Sequence, residues 1–212
     1  MRELPWRIVA AIVSLPFVTR WLIARSKRTP YSPIRSRDGS ALYMDRWWLF
    51  NAYSKDENDR PGPPRWSWLP SVRGHHILLA DSDDHLHDHP WDARTILLRG
   101  WYKEEKPGDI FHQGDEVRFY SHTGVFDPRE IFLRRAGDTR RVLFGEYHRI
   151  SEVSPGGVYT LWFTWKYRGT WGFKVDGTKV PYRKYLKLDE PAAPREVTAK
   201  MYAGADSMWG NE

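Results

Sequence analysis

The sequence predicts an all-β fold, a small sandwich or barrel, that follows a helical N-terminal arm. Runs of branched and aromatic residues recur from Tyr31 onward, and glycines and prolines separate them at fairly regular intervals. Helical periodicity is scarce in that region. The chain has 212 residues, of which 41% are hydrophobic and 15% aromatic, so it has enough apolar material for one packed domain.

The first 40 residues form the predicted arm, and they carry the whole net charge. Eight Lys or Arg lie there against two acidic residues, which accounts for the formal charge of +6. The longest uncharged run, residues 8–19, is shorter than the roughly 18–20 residues of a membrane span, and Pro16 interrupts any helix through it. Three interpretations stay open: a helix packed on the domain, which is the preferred one, an interfacial membrane helix, and a partner contact.

The main domain is predicted to span residues 41–190, and residues 191–212 are predicted to be a poorly ordered tail without periodicity. The aromatic segment 41–50 is predicted to be a strand or a wall of the domain, and the proline-rich segment 54–65 a loop. The runs predicted to be strands are 75–80, 93–102, 116–120, 140–150 and 157–167.

Two features of the composition exclude whole classes of function. The sequence contains no cysteine, which rules out disulfides, thiolate metal sites, iron–sulfur clusters and a cysteine nucleophile. Any metal ion must therefore be held by His, Asp or Glu. Beyond residue 40 the basic and acidic residues are equal in number, so there is no strong case for nucleic-acid binding by the domain.

The densest cluster of metal-ligating side chains contains three alternating histidines, His85, His87 and His89. Alternate side chains of an extended strand share a face, so all three can point to one side. Imidazole is the commonest transition-metal ligand, and the cluster therefore predicts half of a metal site. Asp84 and Asp88 fall on the other face, where carboxylates could orient the imidazole N–H groups.

A second stretch, residues 145–150, is predicted to supply the other half of the site. Glu146 and His148 share a face there by the same alternation. A lone histidine is more often a satisfied core residue than a ligand. The position of His148 relative to the first cluster is what favours a role in metal binding.

With these two stretches the sequence resembles the cupin superfamily, whose small β-barrels carry two metal-binding motifs. His87 and His89 take the places of the His-x-His pair of the first motif, and Gly100 takes the place of its closing glycine. The second motif has Gly137, Gly145 and His148 in register. The departures are Asp81 and Ala93, where the first motif has Gly and Glu, and Leu143 and Glu152, where the second has Pro and Asn.

Shorter segments of the sequence resemble small cupin-like proteins of bacteriophages and prophages. This resemblance does not imply any particular reaction. The segments are residues 46–51, 87–92, 99–102 and 170–173. A phage origin would imply the cytoplasm of a bacterial host, with peripheral membrane contact as an option for the arm. Cupins often pair through a sheet edge, so a homodimer is one expected state.

The cupin resemblance implies one divalent transition metal held by His87, His89 and His148, because Ala93 stands where many cupins have a glutamate ligand. Three neutral ligands leave the ion its full charge and several open positions. This resembles the cupin-type three-histidine iron dioxygenases, which favours iron(II); zinc, manganese and nickel stay open. His85 and Asp92 are candidates for additional ligands.

Further side chains are assigned roles around this ion. Glu146 and Arg99 are the candidate catalytic residues, with Glu146 as a fourth ligand, a general base or an ion-pair partner. Arg94 lies on the opposite face of the same predicted strand as Arg99, so one of the two could bind a substrate carboxylate or phosphate. Trp101 and Tyr147 are the candidate substrate-binding aromatic residues at the mouth of the barrel.

Two other features are assigned no function. The charge run Lys103, Glu104 and Glu105 is predicted to be a solvated strand end. His75 has no partner at metal-ligand spacing and is predicted to be a structural or surface residue.

The sequence supports several functional hypotheses. The first is a non-haem iron(II) oxygenase that acts on a small anionic substrate. The second is a cupin isomerase or lyase in which the metal acts as a Lewis acid. The third is a non-catalytic phage-type scaffold that binds a host or virion partner, since a fold does not guarantee catalysis. Nucleic-acid binding through the arm ranks last.

Overall fold

The computed structural model describes residues 3–36, 39–55, 61–108, 114–122 and 125–188. The predicted tail, residues 191–212, lies outside the described residues. The elements in chain order are α1 (Glu3–Val13), α2 (Pro16–Ser26), β1 (Pro30–Arg35), β2 (Leu42–Phe50), β3 (Tyr53–Lys55), β4 (Pro61–Pro64), β5 (Ser71–Ile77), β6 (Trp91–Arg99), β7 (Trp101–Pro107), β8 (Glu116–His122), β9 (Val125–Arg135), β10 (Thr139–Val142), β11 (Arg149–Val153), β12 (Val158–Tyr167), β13 (Gly172–Val175), β14 (Thr178–Pro181) and α3 (Tyr182–Tyr185).

Two antiparallel sheets form the domain. One has six strands in the order β1-β2-β5-β12-β6-β10, and the other has four in the order β11-β7-β9-β8. A cavity is lined by strands of both sheets, so the two sheets face one another across it. The prediction of an all-β barrel with an N-terminal helical extension is confirmed.

Both faces of the central strand β6 are buried, which explains why its sequence shows almost no polar alternation. Ala93 and Leu97 face the inside of the barrel, whereas Ile96 and Leu98 face outward. The outward side chains pack under the two N-terminal helices. Strands that are covered on both sides read as near-continuous hydrophobic runs.

The helices α1 and α2 pack on the outer face of the six-stranded sheet. Ala10 and Leu22 join one apolar cluster with Ile96, Leu98 and Leu161 of the sheet. The preferred interpretation of the arm is a helix packed on the domain. The inner faces of both helices pack in this way. The strand β1 lies within the predicted arm and pairs with β2, so the sheet begins before residue 41.

No single helix among the described residues is long and apolar enough to cross a membrane. The pair α1 and α2 passes a test of length and composition only when taken together, and it is bent by 85°.

The tight turn from β6 to β7 depends on Gly100, the glycine that falls in register with the first cupin motif. Its φ is +83°, a backbone conformation that side-chain-bearing residues rarely adopt. A Cβ atom at this position would lie 2.7 Å from the carbonyl oxygen of Gly157 and 2.7 Å from Ser154 Oγ. The glycine therefore lets the chain reverse against the β11–β12 turn.

Two strand predictions need correction. The run predicted as one strand over residues 140–150 is two strands, β10 and β11, which belong to different sheets. The loop between them crosses from one sheet to the other and carries His148. The run Lys103–Glu105 is not a solvated strand end, because Glu104 and Glu105 are both 0% exposed. Arginines from β9, β10 and β11 pair with these two carboxylates, which makes their burial tolerable.

The packing of the arm predicts a difference between two isoleucine substitutions. Ile96→Ala removes a fully buried side chain under the helices and is expected to lower the free energy of unfolding by about 2–5 kcal/mol. Ile8→Ala, at an exposed position of α1, is expected to change it by less than about 0.5 kcal/mol. Urea unfolding followed by circular dichroism measures both, and equal effects would contradict the packing of the helices on this sheet.

Candidate metal centre

Two distant segments of the chain meet at His87 and His148. The backbone N–H of His87 donates to the carbonyl of His148 at 2.9 Å, and the N–H of His148 donates back to the carbonyl of His87 at 2.9 Å. This reciprocal pair holds the two segments in an isolated antiparallel bridge. The predicted second half of the site therefore lies beside the first.

The three imidazoles of His87, His89 and His148 converge on one region of space. One candidate ligand nitrogen of each lies within 4.8 Å of those of the other two. The Nε2 atoms of His89 and His148 are 2.8 Å apart. Two nitrogens bound at right angles to one ion, at metal–nitrogen distances of about 2.0–2.1 Å, are about 2.9 Å apart. The three side chains therefore fit a divalent metal ion, as the sequence predicts.

A buried carboxylate fixes the orientation of His148. Its Nδ1 lies 2.8 Å from Oε1 of Glu104, which stands on β7 and is 0% exposed. A carboxylate at this distance accepts the Nδ1–H, so Nε2 is left to face the other two histidines. Such carboxylate partners raise the basicity of a metal-bound imidazole and hold its ring in place.

Glu104 is ionised although it is buried. Burial by itself raises the pKa of this carboxyl, but the charges of Arg140 and Arg134 and the hydrogen bond from His148 outweigh it, so the pKa lies well below its usual value. Arg134 Nε lies 3.1 Å from Oε2, and Arg140 pairs with Oε1. The negative charge beside His148 is therefore present at neutral pH.

Burial keeps His87 and His89 neutral, which is the form that binds a metal. It lowers the pKa of His87, against the opposing charge of Asp81, and lowers the pKa of His89 well below the usual value together with the charges of the neighbouring histidines. Asp81 Oδ2 lies 3.9 Å from Nδ1 of His87. Asp81 is itself held by the hydroxyl of Tyr43 and by the backbone N–H of Ile150 at 2.6 Å.

The three histidines open onto a cavity of about 290 Å³ between the two sheets. A volume of this size is close to the lower end of the range for pockets that hold small molecules. Its walls are mainly aromatic and aliphatic, with a few polar groups from β5, β7 and the 81–85 loop. The apolar lining residues include Met44, Ile77, Trp91, Val142, Ile150, Trp162, Trp171 and Phe173.

The segment around His85 is not the continuous strand that the alternation predicts. Only His87 makes a β-bridge there, and His85 turns to Tyr185, whose hydroxyl lies 2.9 Å from Nδ1. His85 lines the cavity but does not belong to the group of three ligands. The shared face of His87 and His89 survives because their local backbone is extended enough for alternation.

The two aspartates that alternate with these histidines do not orient them. Asp88 is fully buried and accepts hydrogen bonds from the N–H of Gly172 at 2.7 Å and from Lys179 Nζ at 2.6 Å. Asp84 pairs with Arg149. The carboxylates that face the imidazoles are Glu104 and Asp81, which are not their sequence neighbours.

Three of the assigned charged residues, Arg94, Arg99 and Asp92, lie outside the cavity. Arg94 makes a bidentate pair with Glu3 of α1, with Nη–Oε distances of 2.8 and 3.0 Å, on the outer face of the sheet. Arg99 is exposed at the end of β6. Asp92 pairs with Arg168 at 2.7 Å. The alternation of β6 explains the positions of Asp92 and Arg94, because both residues face away from Ala93, whereas Arg99 lies at the exposed end of the strand.

Glu146, the candidate catalytic carboxylate, also lies away from the ligand group. Its Oε2 accepts the backbone N–H of Leu143 at 2.8 Å, and its oxygens lie 3.8–3.9 Å from nitrogens of Arg140 and Lys106. The turn before His148 directs it outward, so that it is an ion-pair partner, the third of its expected roles. Trp101 and Tyr147 do not line the cavity either.

Sequence reasoning assigned no site role to several polar residues that line the cavity, among them Arg73, His75, Asp81 and Glu104. One signal for Glu104 was present, because it shares a face with Tyr102 by strand alternation. Arg73, His75 and Ile77 alternate on β5 in the same way. The sequence predicts no role for Arg73 and a structural or surface role for His75, and the fold places both at the cavity wall.

No protein-family model and no curated protein matches the chain. Among solved structures, iron(II) HppE is similar over 63% of this chain and 56% of its own, at 13% identity and a TM-score of 0.39. Oxalate decarboxylase of Bacillus subtilis is similar over 81% of this chain and 34% of its own, at 12% identity and a TM-score of 0.39. That of Lactobacillus farciminis is similar over 76% and 36%, at 14% identity and a TM-score of 0.37.

The chain thus spans about half the length of HppE and about a third of the length of the decarboxylases. At these identities and TM-scores the likeness defines no activity for this chain. The functional argument rests on the three histidines and on what surrounds them.

The contact between Glu104 and His148 predicts a selective effect on metal affinity. Glu104→Gln removes the negative charge behind His148 and is expected to lower the affinity for zinc(II) about 10–100-fold, as measured by competition with a chromophoric chelator. Glu105→Gln is the matched control, because Glu105 is equally buried on the same strand but pairs with Arg129 and Arg149 instead. An equal loss of affinity in both variants would show that Glu104 acts only through stability.

Proposed function

We propose that the protein is a metal-dependent oxygenase that uses iron(II), held by His87, His89 and His148, to act on a small anionic substrate. The carrying observation is the group of three imidazoles whose donor atoms lie within 4.8 Å of one another at the wall of a cavity. No carboxylate belongs to this group among the described residues. An all-imidazole ligand set leaves the charge of a divalent ion uncompensated and favours an anionic co-ligand.

The protein's own residues prepare this site. Glu104 holds the proton of His148 on Nδ1, and Asp81 lies on the Nδ1 side of His87. A carboxylate therefore lies behind each of these two imidazole rings. The aromatic side chains of Trp162, Trp171 and Phe173 line the cavity beside the histidines. Iron(II) would supply the open coordination positions and the redox chemistry that an oxygenase requires.

Two other functions are compatible with a three-histidine site, and both are outcomes of the test below. A Lewis-acid isomerase or lyase would use the same ion without consuming oxygen. A scaffold for a host or virion partner, of the kind suggested by the phage resemblance, would not need the ion at all.

Metal loading and a probe of open coordination test the proposal together. The full-length protein is expected to retain about one iron(II) per chain after anaerobic loading and desalting, measured by elemental analysis. Nitric oxide, a stand-in for oxygen, is expected to change the EPR spectrum of the loaded protein, because three ligands leave room for it. His87→Ala and His148→Ala are each expected to lose the stoichiometric metal and the nitric oxide signal.

His76→Ala is the matched control. His76 is not in the ligand group; it stacks on Tyr159 and lies 2.9 Å from the carbonyl oxygen of Gly156, so its loss should leave the metal content unchanged. A wild-type protein that retains no stoichiometric iron, zinc, manganese or nickel would overturn metal-dependent catalysis. Stoichiometric iron(II) without any response to nitric oxide would overturn the oxygenase proposal, because the ion would then offer no open position to oxygen.

A further inference from the structure

Arg73 on β5 is a buried cation without an acidic partner in the described part of the chain. Its side chain lines the cavity, and the residue is only 2% exposed. Nε and Nη2 have no hydrogen-bond acceptor. Burying a charged group without a partner is costly, and such groups are normally paired or bound to a ligand. The two free nitrogens are adjacent on one edge of the guanidinium, which is the pair that can bind a carboxylate in bidentate fashion.

Aromatic rings hold the guanidinium but do not satisfy its donors. Its central carbon lies 4.9 Å from the ring centroid of Trp91, 5.2 Å from that of Trp48 and 5.9 Å from those of Tyr31 and Tyr53. Ring faces attract a cation through their quadrupole and offset part of the cost of burial. They offer no oxygen acceptor to the N–H groups at the edge of the guanidinium, so Nε and Nη2 remain without an acceptor among the described residues.

Arg73 and His89 of the candidate metal centre both lie next to the indole ring of Trp162. Trp162 on β12 lies directly opposite Arg73 in the β5–β12 pair, and its ring centroid is 4.9 Å from that of His89. His75 is two residues along from Arg73, lines the same cavity, and has a buried Nε2 without a hydrogen-bond partner. A molecule in the cavity can therefore contact Arg73 at one end and the three histidines at the other.

We infer that Arg73 binds the carboxylate of a small organic acid whose apolar body lies along Trp91 and Trp162 toward the three histidines. The inference deepens the proposed function, on which its catalytic meaning rests, by giving the substrate class and by assigning the anion-binding role to Arg73 instead of Arg94. The apolar cavity wall provides a surface for the body of the acid, and the planar fork of the guanidinium selects a carboxylate over a neutral amide.

Binding to the metal-free protein tests the assignment separately from the metal. Benzoate, phenylacetate and 3-phenylpropionate are titrated by calorimetry or by tryptophan fluorescence, each beside its neutral amide. At least one carboxylate is expected to bind, and its amide is expected to bind at least about tenfold more weakly, which corresponds to about 1.4 kcal/mol. Arg73→Met is expected to weaken carboxylate binding at least tenfold, and Arg73→Lys to weaken it less, since Lys keeps the charge but not the fork.

Arg94→Met is the matched control, because Arg94 is also a buried arginine but pairs with Glu3 outside the cavity. It should bind the carboxylates as the wild type does. Arg73→Met removes an unpaired buried charge, so it is expected to keep its fold, which near-UV circular dichroism verifies. The inference is overturned if none of the three acids binds better than its amide, or if folded Arg73→Met binds them unchanged. His87→Ala should still bind them, so a failure of the metal proposal is recognised independently.

The outer face of the helical arm carries a second, independent inference. Leu4, Ile8 and Ile12 recur at four-residue intervals on α1, and Phe17 and Trp21 do so on α2. All five side chains are more than half exposed, with Trp21 at 63% and Phe17 at 65%. Exposed apolar side chains that recur along two consecutive helices in this way are typical of an interaction surface.

The charge around these side chains points to an anionic lipid surface. Arg7, Arg20, Arg25 and Arg28 are exposed on or next to the same helices. The only acidic residue of α1 and α2 is Glu3, which is paired with Arg94. Exposed aromatic and aliphatic side chains with flanking arginines are typical of helices that lie in the headgroup region of a bilayer. We propose that α1 and α2 dock the protein on membranes that contain anionic lipids.

Vesicle sedimentation tests the docking surface. The full chain is expected to sediment with vesicles of phosphatidylcholine and phosphatidylglycerol, less with phosphatidylcholine alone, and less again at high salt. The double variant Phe17→Ser, Trp21→Ser is expected to lose most of the binding, and Trp68→Ser, at an exposed tryptophan outside the arm, is expected to retain it. Equal binding by the double variant would overturn the proposal. So would light scattering that shows a dimer which the double variant abolishes, because the face would then serve a second copy.

Discussion

The hydrogen bond between His148 and Glu104 determines which nitrogen of His148 faces the cavity. If Nδ1 gives its proton to the carboxylate, the lone pair lies on Nε2, 2.8 Å from Nε2 of His89. The opposite tautomer would leave a buried carboxylate without its donor and would turn an N–H toward the site. The ability of His148 to bind a metal through Nε2 thus depends on Glu104, which belongs to the four-stranded sheet.

The cost of placing Glu104 in the interior is met by a group of buried charges. Arg134 and Arg140 pair with Glu104, while Arg129 and Arg149 pair with Glu105 on the opposite face of β7. Buried pairs of this kind contribute little net stability, because desolvation offsets much of the attraction, but removal of one partner is strongly destabilising. These pairs link β7 to its neighbours β9 and β11 and, through Arg140, to β10 of the other sheet, and they hold the carboxylate behind His148 in position.

The sequence predicts the ligands of the centre better than it predicts their surroundings. His87, His89 and His148 could be identified because ligand chemistry limits the choice to a few residue types and because alternation sets which of them share a face. Glu104 and Arg73 could not, because a charged residue in a strand reads as solvated unless its partners are known, and those partners come from strands far along the chain. Alternation puts Arg94 and Arg99 on opposite faces of their strand, but it does not tell which face is the inner one, and Arg94 pairs with Glu3 on the outer face. The barrel itself was predictable from short apolar runs, whereas β9, which is rich in charge, owes its place to pairing with β7 and β8.

The charges inside the cavity favour an acidic ligand. Burial favours the neutral form of His87 and His89, whereas Arg73 is a cation without an acidic partner among the described residues. A divalent ion on the histidines would add positive charge to the cavity that Arg73 also lines, and like charges repel more strongly where the local dielectric constant is low. A carboxylate between Arg73 and the ion would reverse that balance, because it would attract both. The unpaired charge of Arg73 costs folding free energy when nothing occupies the cavity. The same charge makes the cavity selective for an anion over a neutral molecule of equal shape.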